Sequence, residues 1–378
     1  MLFSWSLQSS TGIKMGNLLV LGDSDVHDIL INLSKAEILT FRDALARCLQ
    51  DYSVGAERDY QPAPGVINRP EGQKCLFRPF TSADGIGAKI VVQPAPTSKA
   101  AGALRGMVAM CDADGSPSGL LNAEDVTGYR TALIALIPYL WRCHTNKIVI
   151  FGAGKQALWH LRLALALRGD EIESITVVNR TVSRAEELLA KVKEENNARW
   201  KSAATMQHID PSRSDYQECL KEHISSADAI FCTVGSTEPL FPASYIITDG
   251  RERQPYISAV GSWQPDMIEL DPELLQQAAK QISPGSKAGS ILADDRKWVL
   301  LHSGEAARSK IAAEQIVEIG EIETVQRTEG SEGHLQAWMK DGLLIYKSVG
   351  VGMTDLAASN IILDFARERG LGTTISQF

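Results

Sequence analysis

The sequence predicts an α/β protein, in which a Rossmann-type, doubly wound parallel sheet is joined to an α+β domain. A chain of 378 residues exceeds the size that one hydrophobic core usually fills, so two domains are expected. From residue 147 onward, strand-like and helix-like segments alternate, which is typical of a parallel sheet covered by helices. A glycine-rich join between a strand and a helix at 152–157 is the third indication.

The region before residue 145 has the pattern of an α+β domain. A helix is predicted behind a Ser34 cap, because apolar residues such as Ile38, Phe41 and Leu45 recur at helical spacing. The segments KCLFRPF, GAKIVVQP and GALRGMVAMCDADGSPSGLLN then predict strands and hairpins separated by Gly, Asp and Pro.

The second region alternates strands and helices. Strands are predicted at KIVIF, SITVVN, AIFCTV, YISAVG and SILADD, with helices at KQALWHLRLALAL and RAEELLAKVKEE between the first of them. Near the end, LLIYKSVG predicts a further strand, followed by a helix that begins near Thr354 and ends at Gly370.

Composition and targeting signals narrow the class of protein. A net charge of -8 without a basic stripe argues against a nucleic-acid partner. The longest apolar run, 131–141, is too short for a membrane span and contains Pro138. The first fourteen residues lack a secretory signal, so a frayed extension, an alternative start at Met15 and a cytoplasmic location are expected. The cysteines and histidines follow no metal-binding spacing, so no metal is expected.

The segment KIVIFGAGKQA matches the dinucleotide fingerprint G-x-G-x-x-A in its expected context, after a strand and at the start of a helix. Gly152 makes the tight turn, Gly154 lets the backbone approach a pyrophosphate, and Ala157 lets the helix pack on the strand. The helix N-terminus, which includes Lys155 and Gln156, directs N–H groups and a positive dipole toward the phosphates.

The end of the next strand indicates which coenzyme binds. An acidic residue there would bond the ribose hydroxyl of NAD, but this chain has Asn179. Arg180 and Arg184 supply cations and Thr181 supplies a hydroxyl group for a 2′-phosphate. The sequence therefore favours NADPH over NADH.

A set of segments in chain order resembles the ornithine cyclodeaminase/mu-crystallin family. They read GAKIVV, LNAEDVTGYRTAL, KIVIFGAGKQA, VVNRT, ISAVGSWQPDMIELD, QIVEIGEIETV and YKSVGVGMTDLAAS, and extend from about residue 85 to 360. The resemblance implies a substrate-binding and dimerisation domain formed by 15–144 and 343–378, with a Rossmann NADP-binding domain at 145–342 between them. It also implies a homodimer.

The resemblance also implies a set of substrate-binding cations. Lys89 and Arg130 match the family's lysine and arginine, with Lys89 as the catalytic group. An upstream arginine corresponds to Arg69, and Arg78 is the competing candidate. Guanidinium groups suit the carboxylate of an amino or imino acid, and a lysine can stabilise charge or supply a proton beside the reacting nitrogen.

Further coenzyme contacts are implied at the edge of the Rossmann domain. The loops at 233–237 and 347–355 are expected to bracket the nicotinamide. The residues expected to contact the coenzyme there are Thr131, Val234, Gly235, Ser236, Val260 and Val349.

One position departs from the cyclodeaminase pattern and bears on the reaction. Where the family's cyclodeaminases carry an aspartate, this chain has Trp263, whose indole cannot act as a base. The resulting expectation is an NADPH-dependent reductase of an imine or ketimine carboxylate, with Trp263 at the substrate. The alternatives are an ornithine cyclodeaminase or amino-acid dehydrogenase of the same family, and a non-catalytic, NADPH-dependent protein that binds a small ligand.

Overall fold

The computed structural model describes residues 16–99, 104–248, 253–280, 291–328 and 334–378. The first fourteen residues and Met15, for which the sequence predicts a frayed extension and an alternative start, lie outside the described residues.

Strands and helices follow one another along the described chain. The strands are β1 (Leu18–Leu21), β2 (Gly65–Asn68), β3 (Lys74–Ser82), β4 (Gly85–Gln93), β5 (Arg105–Asp112), β6 (Pro117–Asn122), β7 (Lys147–Phe151), β8 (Ser174–Val178), β9 (Thr205–Ile209), β10 (Ala229–Cys232), β11 (Tyr256–Ala259), β12 (Ile291–Ala293), β13 (Ile316–Glu318), β14 (Leu344–Lys347) and β15 (Thr373–Ile375). The helices are α1 (Asp23–Ile31), α2 (Lys35–Ser53), α3 (Ala123–Trp141), α4 (Lys155–Arg168), α5 (Val182–Glu195), α6 (Tyr216–Ser226), α7 (Pro272–Lys280), α8 (Arg296–His302), α9 (Gly304–Ser309), α10 (Ile319–Thr328), α11 (His334–Asp341) and α12 (Gly352–Arg369).

The first sheet is mixed, and within the described ranges it has seven strands in the order β15–β1–β6–β5–β4–β3–β2. β1 and β6 are parallel, and the other neighbours are antiparallel. The register of β3 and β4 places Arg78 directly opposite Lys89, so that their side chains leave the sheet on the same face. The predicted α+β character of this region is confirmed.

The second sheet contains eight parallel strands among the described residues, in the order β13–β12–β14–β11–β10–β7–β8–β9. Alternate residues of β7 enter different cores: Ile148 and Ile150 pack in one, Val149 and Phe151 in the other. The strand order reverses beside β7, and open α/β sheets bind ligands at the carboxyl ends of the strands at such a point. The predicted Rossmann-type sheet is confirmed.

Helix α3 connects the two sheets and is almost entirely buried. Asn122 caps its start by accepting a hydrogen bond from the N–H of Glu124 at 2.9 Å. The helix packs against α2 and α12 on one side and against α4 on the other. Pro138 lies inside its final part. Among the described residues, no helix is both long and apolar enough to cross a bilayer.

The end of the chain is divided between the two sheets. β14, whose residues are all buried, pairs with β11 and β12 of the parallel sheet. α12 then packs on α2 and β3, and β15 pairs with β1. The predicted boundary at 342/343 assigned β14 to the first domain, whereas the chain returns to that domain only after Lys347. A short strand whose first three residues are apolar or aromatic suits either sheet, which is why the sequence does not distinguish them.

Candidate active site

A cavity of about 420 Å³ lies between the first sheet and the carboxyl ends of the parallel strands. We call it the central cavity. β3, β4 and α3 form one wall, and the loops after β10, β11 and β14 form the other. The predicted site residues that line it are Arg78, Lys89, Arg130, Thr131, Gln156, Gly235, Val260, Trp263 and Val349.

Three buried charged groups meet at this cavity. The Nζ atom of Lys89 lies 2.8 Å from Oδ1 and 2.7 Å from Oδ2 of Asp355, and it donates at 3.4 Å to Thr127. Arg130 donates from Nε to Oδ1 of Asp355 at 2.9 Å. Lys89, Arg130 and Asp355 are 2%, 3% and 0% exposed, so these contacts are shielded from solvent. One carboxylate of α12 therefore fixes a cation from β4 and another from α3.

Burial and mutual charge shift the protonation of this cluster. Burial lowers the pKa of Lys89 to about 7, with Arg130 and Arg78 acting in the same direction and Asp355 opposing them. Burial alone would raise the pKa of Asp355, but Arg130 and Lys89 outweigh it and hold this pKa below its usual range. Near neutral pH the lysine is poised to give up a proton while the carboxylate remains charged.

Arg78, and not Arg69, lines the cavity beside Lys89 and Arg130. Arg69 is exposed in the turn between β2 and β3, whereas Arg78 lies within β3 opposite Lys89. Arg78 donates from Nη2 to the carbonyl of Val349 at 3.4 Å. A Cβ atom on Gly350, whose φ is +86°, would lie 2.6 Å from Nη1 of Arg78, so glycine lets this loop approach the guanidinium. The strand register decides between the two arginines, and the sequence alone does not supply it.

Asp294 holds the loop that brings Val349 and Gly350 to the cavity. Its carboxylate accepts hydrogen bonds from the N–H groups of Val349 at 3.2 Å and Gly350 at 2.7 Å, and from the hydroxyl of Ser348 at 2.6 Å. Burial raises the pKa of Asp294 even though these bonds favour its charged form. Neither Asp294 nor Asp355 is among the predicted site residues. The available signals were an aspartate at the end of the predicted strand SILADD and another at the start of the last predicted helix.

The glycine turn has the geometry expected of a dinucleotide site. Gly152 has a φ of +108°, and a Cβ atom there would lie 2.6 Å from Oγ1 of Thr233. Its N–H donates to the carbonyl of Val178 at 2.9 Å, which ties the turn to the end of β8. Gly154 caps α4, and a Cβ atom there would meet no atom within 4 Å. Ala157 is fully buried. These positions fit a pyrophosphate group at the start of α4.

The two residues that follow the turn contact α3. Lys155 lies 3.0 Å from Asp125 and 3.3 Å from Glu124, so its ammonium group is held by carboxylates and not directed at the predicted phosphate site. Only its N–H group at the helix start remains suited to a phosphate. Gln156 donates from Nε2 to the carbonyl of Thr127 at 3.3 Å and lines the central cavity.

The predicted coenzyme-selective residues follow β8, next to the glycine turn. The side chain of Asn179 donates to the carbonyl of Thr181 at 2.8 Å and so shapes the start of α5. Arg180, Thr181 and Arg184 are all exposed. β8 pairs with β7 so that Val178 is opposite Phe151, which brings this basic segment beside the turn.

A buried glutamate connects the loops after β10 and β11, which carry the predicted coenzyme contacts Gly235 and Val260. Glu269 accepts hydrogen bonds from the N–H groups of Val234 at 2.9 Å, Gly261 at 2.7 Å and Ser262 at 3.0 Å. Lys347 lies 3.7 Å from the same carboxylate. Burial raises the pKa of Glu269 to about 7, although Lys347 acts in the opposite direction. Glu269 is not among the predicted site residues, and it orients the backbone beside Gly235, Ser236 and Val260.

Trp263 lies in the loop after β11 and lines the central cavity. The Nζ atom of Lys74 lies 5.9 Å from the centroid of its ring and donates to the neighbouring Gln264 at 2.6 Å. Asp266 lies further along the same loop, is exposed and does not line this cavity. Across the described ranges, no group of three or more His, Cys, Asp or Glu side chains is arranged to hold a metal ion.

Comparison with known proteins gives matches over the whole fold. A family model described as shikimate / quinate 5-dehydrogenase matches residues 138–258, which is part of the Rossmann region. A Δ1-pyrroline-2-carboxylate reductase of Bacillus cereus is 27% identical over 87% of this chain and 93% of its own. The ketimine reductase mu-crystallin of Macropus fuliginosus is 24% identical over 85% and 90%.

Solved structures share the complete architecture. The Δ1-pyrroline-2-carboxylate reductase of Thermococcus litoralis, solved with NADH and L-proline, is 20% identical and superimposes with a TM-score of 0.73 over 94% of this chain and 100% of its own. The fold and the site together define a two-domain protein with a Rossmann-type dinucleotide site facing a buried cationic cluster. The chain is similar over most of its length to proteins of the ornithine cyclodeaminase/mu-crystallin family, so the resemblance predicted from the sequence is confirmed.

Proposed function

We propose that this protein is an NAD(P)H-dependent reductase of an imine or ketimine carboxylate, with a preference for NADPH. The observation that carries the proposal is the buried cluster of Lys89, Arg130 and Asp355 in a cavity that adjoins a dinucleotide turn. The names of the relatives, a pyrroline-carboxylate reductase and a ketimine reductase, support the same reaction.

Arg130 and Arg78 bind the substrate carboxylate in this proposal. Arg130 uses Nε for Asp355, which leaves its two terminal nitrogens for a ligand. A Cβ atom on Gly350 would lie within 3.4 Å of both guanidinium groups, so the two cations converge on one place. Each charge-assisted hydrogen bond to a carboxylate contributes about 1.5 to 3 kcal/mol, which is enough to orient a small imino acid.

Lys89 supplies the proton. The coenzyme, when bound, provides the hydride that reduces the imine carbon, and the imine nitrogen needs a proton in the same reaction. An ammonium group whose pKa is about 7 is a better donor near neutral pH than an ordinary lysine. Asp355 keeps Lys89 oriented and raises its pKa, which retains a useful fraction of the protonated form.

The coenzyme preference rests on the segment after β8. Asn179 adds no negative charge where a 2′-phosphate would lie, and the exposed Arg180 and Arg184 add positive charge. The open position at Gly154 and the positive φ of Gly152 suit the pyrophosphate of either coenzyme. We therefore assign discrimination to Arg180 and Arg184, and phosphate binding to the turn.

We also propose a homodimer formed through the first sheet. Large apolar side chains on one face of it are exposed, including Ile67, Phe77, Ile86 and Met107. A set of this kind on one sheet is typical of a surface that another protein covers. Light scattering of the purified protein would test the dimer. The cytoplasmic location stays a prediction.

Reduction is a better assignment than cyclodeamination because of Trp263. Loss of ammonia from ornithine needs a base beside the reacting amines, and the indole at this part of the cavity wall cannot provide one. Asp266, the nearest carboxylate in the sequence, does not line the central cavity. Reduction of a preformed imine needs only the carboxylate anchor, the proton donor and the hydride.

The test is NADPH consumption with Δ1-pyrroline-2-carboxylate, followed by its absorbance. We expect turnover to proline, and a loss of at least a hundredfold in Lys89→Met with unchanged coenzyme affinity. Arg69→Ala is the matched control, since this arginine lies in an exposed turn and its loss should leave turnover unchanged. Absence of turnover, or robust release of proline and ammonia from L-ornithine, would overturn the proposal.

A further inference from the structure

A second cavity of about 570 Å³ adjoins the central cavity. We call it the side cavity. The two share a wall, so that a ligand bound at this wall contacts both. The shared residues are Leu76, Arg78, Trp263, Val349 and Gly350.

Aromatic and apolar groups dominate the lining of the side cavity away from the shared wall. Trp298 of α8 lies there, with its ring stacked on His302 at 4.5 Å between centroids and 17° between planes. Pro62, Pro64 and Val66 provide the opposite side. Such a surface suits an aromatic or aliphatic group, because apolar area is removed from water without leaving polar atoms unpaired.

The charges in the side cavity are largely compensated. Arg58 lies 3.4 Å from Asp295 and also pairs with Glu318. Burial, together with Arg78, lowers the pKa of His302 and so favours its neutral form. Lys297 and Asp266, which are exposed and of opposite sign, also belong to the lining. Among the described residues of this lining, a second carboxylate would meet, apart from the shared Arg78, only the solvent-exposed Lys297 as a cation without a described carboxylate partner.

Arg78 links the two cavities, because it lies on the shared wall and opposite Lys89 in the sheet. A carboxylate bound to Arg78 and Arg130, with its imine nitrogen toward Lys89, has one remaining substituent on the imine carbon. The central cavity must also admit the nicotinamide, which leaves little of its 420 Å³ for a large substituent. The side cavity is the space beside Arg78 that can hold this substituent.

We infer that the side cavity binds the side chain of an imino-acid substrate, and that this side chain is a large, uncharged aromatic or apolar group. The inference rests on the proposed function, which it makes more specific. In the reaction, hydride from the reduced coenzyme forms the new C–H bond at the imine carbon as the C=N π bond breaks. The nitrogen takes a proton, and the coenzyme is oxidised.

The experiment compares two imines that share the same reacting group. One forms from phenylpyruvate and methylamine, the other from pyruvate and methylamine, and Δ1-pyrroline-2-carboxylate serves as a small cyclic reference. We expect kcat/KM for the phenylpyruvate imine to exceed that for the pyruvate imine at least tenfold in the unaltered protein. Each rate is measured by NADPH consumption.

Two variants change the side cavity in opposite ways. Trp298→Ala removes one wall, and Val66→Trp fills the space from β2, where Val66 is 44% exposed and tolerates a larger residue. Both should lower kcat/KM for the phenylpyruvate imine at least tenfold while leaving the pyruvate imine within twofold. Leu301→Ala is the matched control, because Leu301 is on the same helix as Trp298, is 57% exposed and lies outside this cavity.

The outcomes separate the two proposals. If small imines are reduced but the phenylpyruvate imine is no better, or if both variants affect the two imines equally, the side cavity does not bind the side chain. If an imine of a keto acid with a second carboxylate is strongly preferred, the inferred side-chain class is wrong. If none of these imines is reduced, the proposed function fails, and the inference fails with it.

Discussion

The carboxylate of Asp355 is the structural centre of the proposed catalytic cluster, and its removal is the most informative single change. Asp355→Asn keeps the shape of the side chain but replaces a charge that lies 2.7 Å from the ammonium of Lys89 and 2.9 Å from Nε of Arg130. Two buried cations would then lose their counter-ion. The variant should therefore affect both folding and the protonation of Lys89.

The expected loss in the free energy of unfolding follows from the distances between Asp355 and its two cations. Two unit charges about 2.8 Å apart interact by about 6 kcal/mol at an effective dielectric constant of about 20, before desolvation is counted. Breaking a buried pair by removing one partner costs about 3 to 5 kcal/mol in proteins. We expect Asp355→Asn to lower the free energy of unfolding by this amount at neutral pH. The difference should begin to narrow below about pH 4, where this aspartate takes up a proton in the unfolded chain, and it should be lost as the pH falls through the still lower pKa of Asp355 in the folded protein.

The substitution should change the pH dependence of the activity as well as its magnitude. Asp355 raises the pKa of Lys89, so its loss moves that pKa below about 7 and reduces the protonated fraction near neutral pH. If Lys89 is the proton donor, kcat/KM for imine reduction falls as pH rises through its pKa. In Asp355→Asn this fall should begin at a lower pH than in the unaltered protein.

Urea denaturation and a pH profile of kcat/KM measure the two effects. Asp364→Asn is the matched control on the same helix, since Asp364 is 67% exposed and pairs only at the surface, at 2.8 Å from Arg367. It should change the free energy of unfolding by less than about 1 kcal/mol. The account is contradicted if Asp355→Asn lowers the free energy of unfolding no more than this control does and leaves the pH profile of kcat/KM unchanged. In that case Asp355 does not stabilise the charges of Lys89 and Arg130.

Three further predictions concern the coenzyme site. Arg180→Ser with Arg184→Ser should weaken NADPH binding at least tenfold, about 1.4 kcal/mol, and leave NADH unchanged in fluorescence titrations. Equal loss for both coenzymes would refute the assigned selectivity. Gly152→Ala should weaken binding of both at least tenfold, because its φ is +108° and the new methyl group meets Thr233; calorimetric titration with unchanged affinity would contradict this. Glu269→Gln should raise the KM for NADPH severalfold with little change in kcat, since an amide oxygen cannot accept all three loop N–H groups as the carboxylate does. A lower kcat at constant KM would argue against this positioning role.

The features that the sequence predicted well are local. The strand, the two glycines and the start of α4 lie within eleven consecutive residues, and each has a direct steric reason, so the turn could be identified without tertiary information. The alternation of strands and helices likewise depends on periodicity, which the chain carries by itself. The family resemblance added the substrate cations Lys89 and Arg130.

The features that were missed or misplaced depend on distant contacts. Lys89 and Asp355 are 266 positions apart, so nothing in either segment indicates the pair. Arg78 reaches the cavity only because β3 and β4 pair in one register. The ammonium group of Lys155 pairs with Asp125 because α3 lies beside α4, and the packing of two helices cannot be read from their separate sequences.

Direct hydride transfer into the product tests the central claim most directly. The protein is incubated with Δ1-pyrroline-2-carboxylate and NADPH carrying deuterium at C4 of the nicotinamide, on one face and then on the other, and the proline is analysed by mass spectrometry. We predict deuterium at the α-carbon of proline from one of the two labelled coenzymes, and loss of the labelled product in Lys89→Met. Absence of labelled proline from both coenzymes would contradict the assignment of this site to imine reduction.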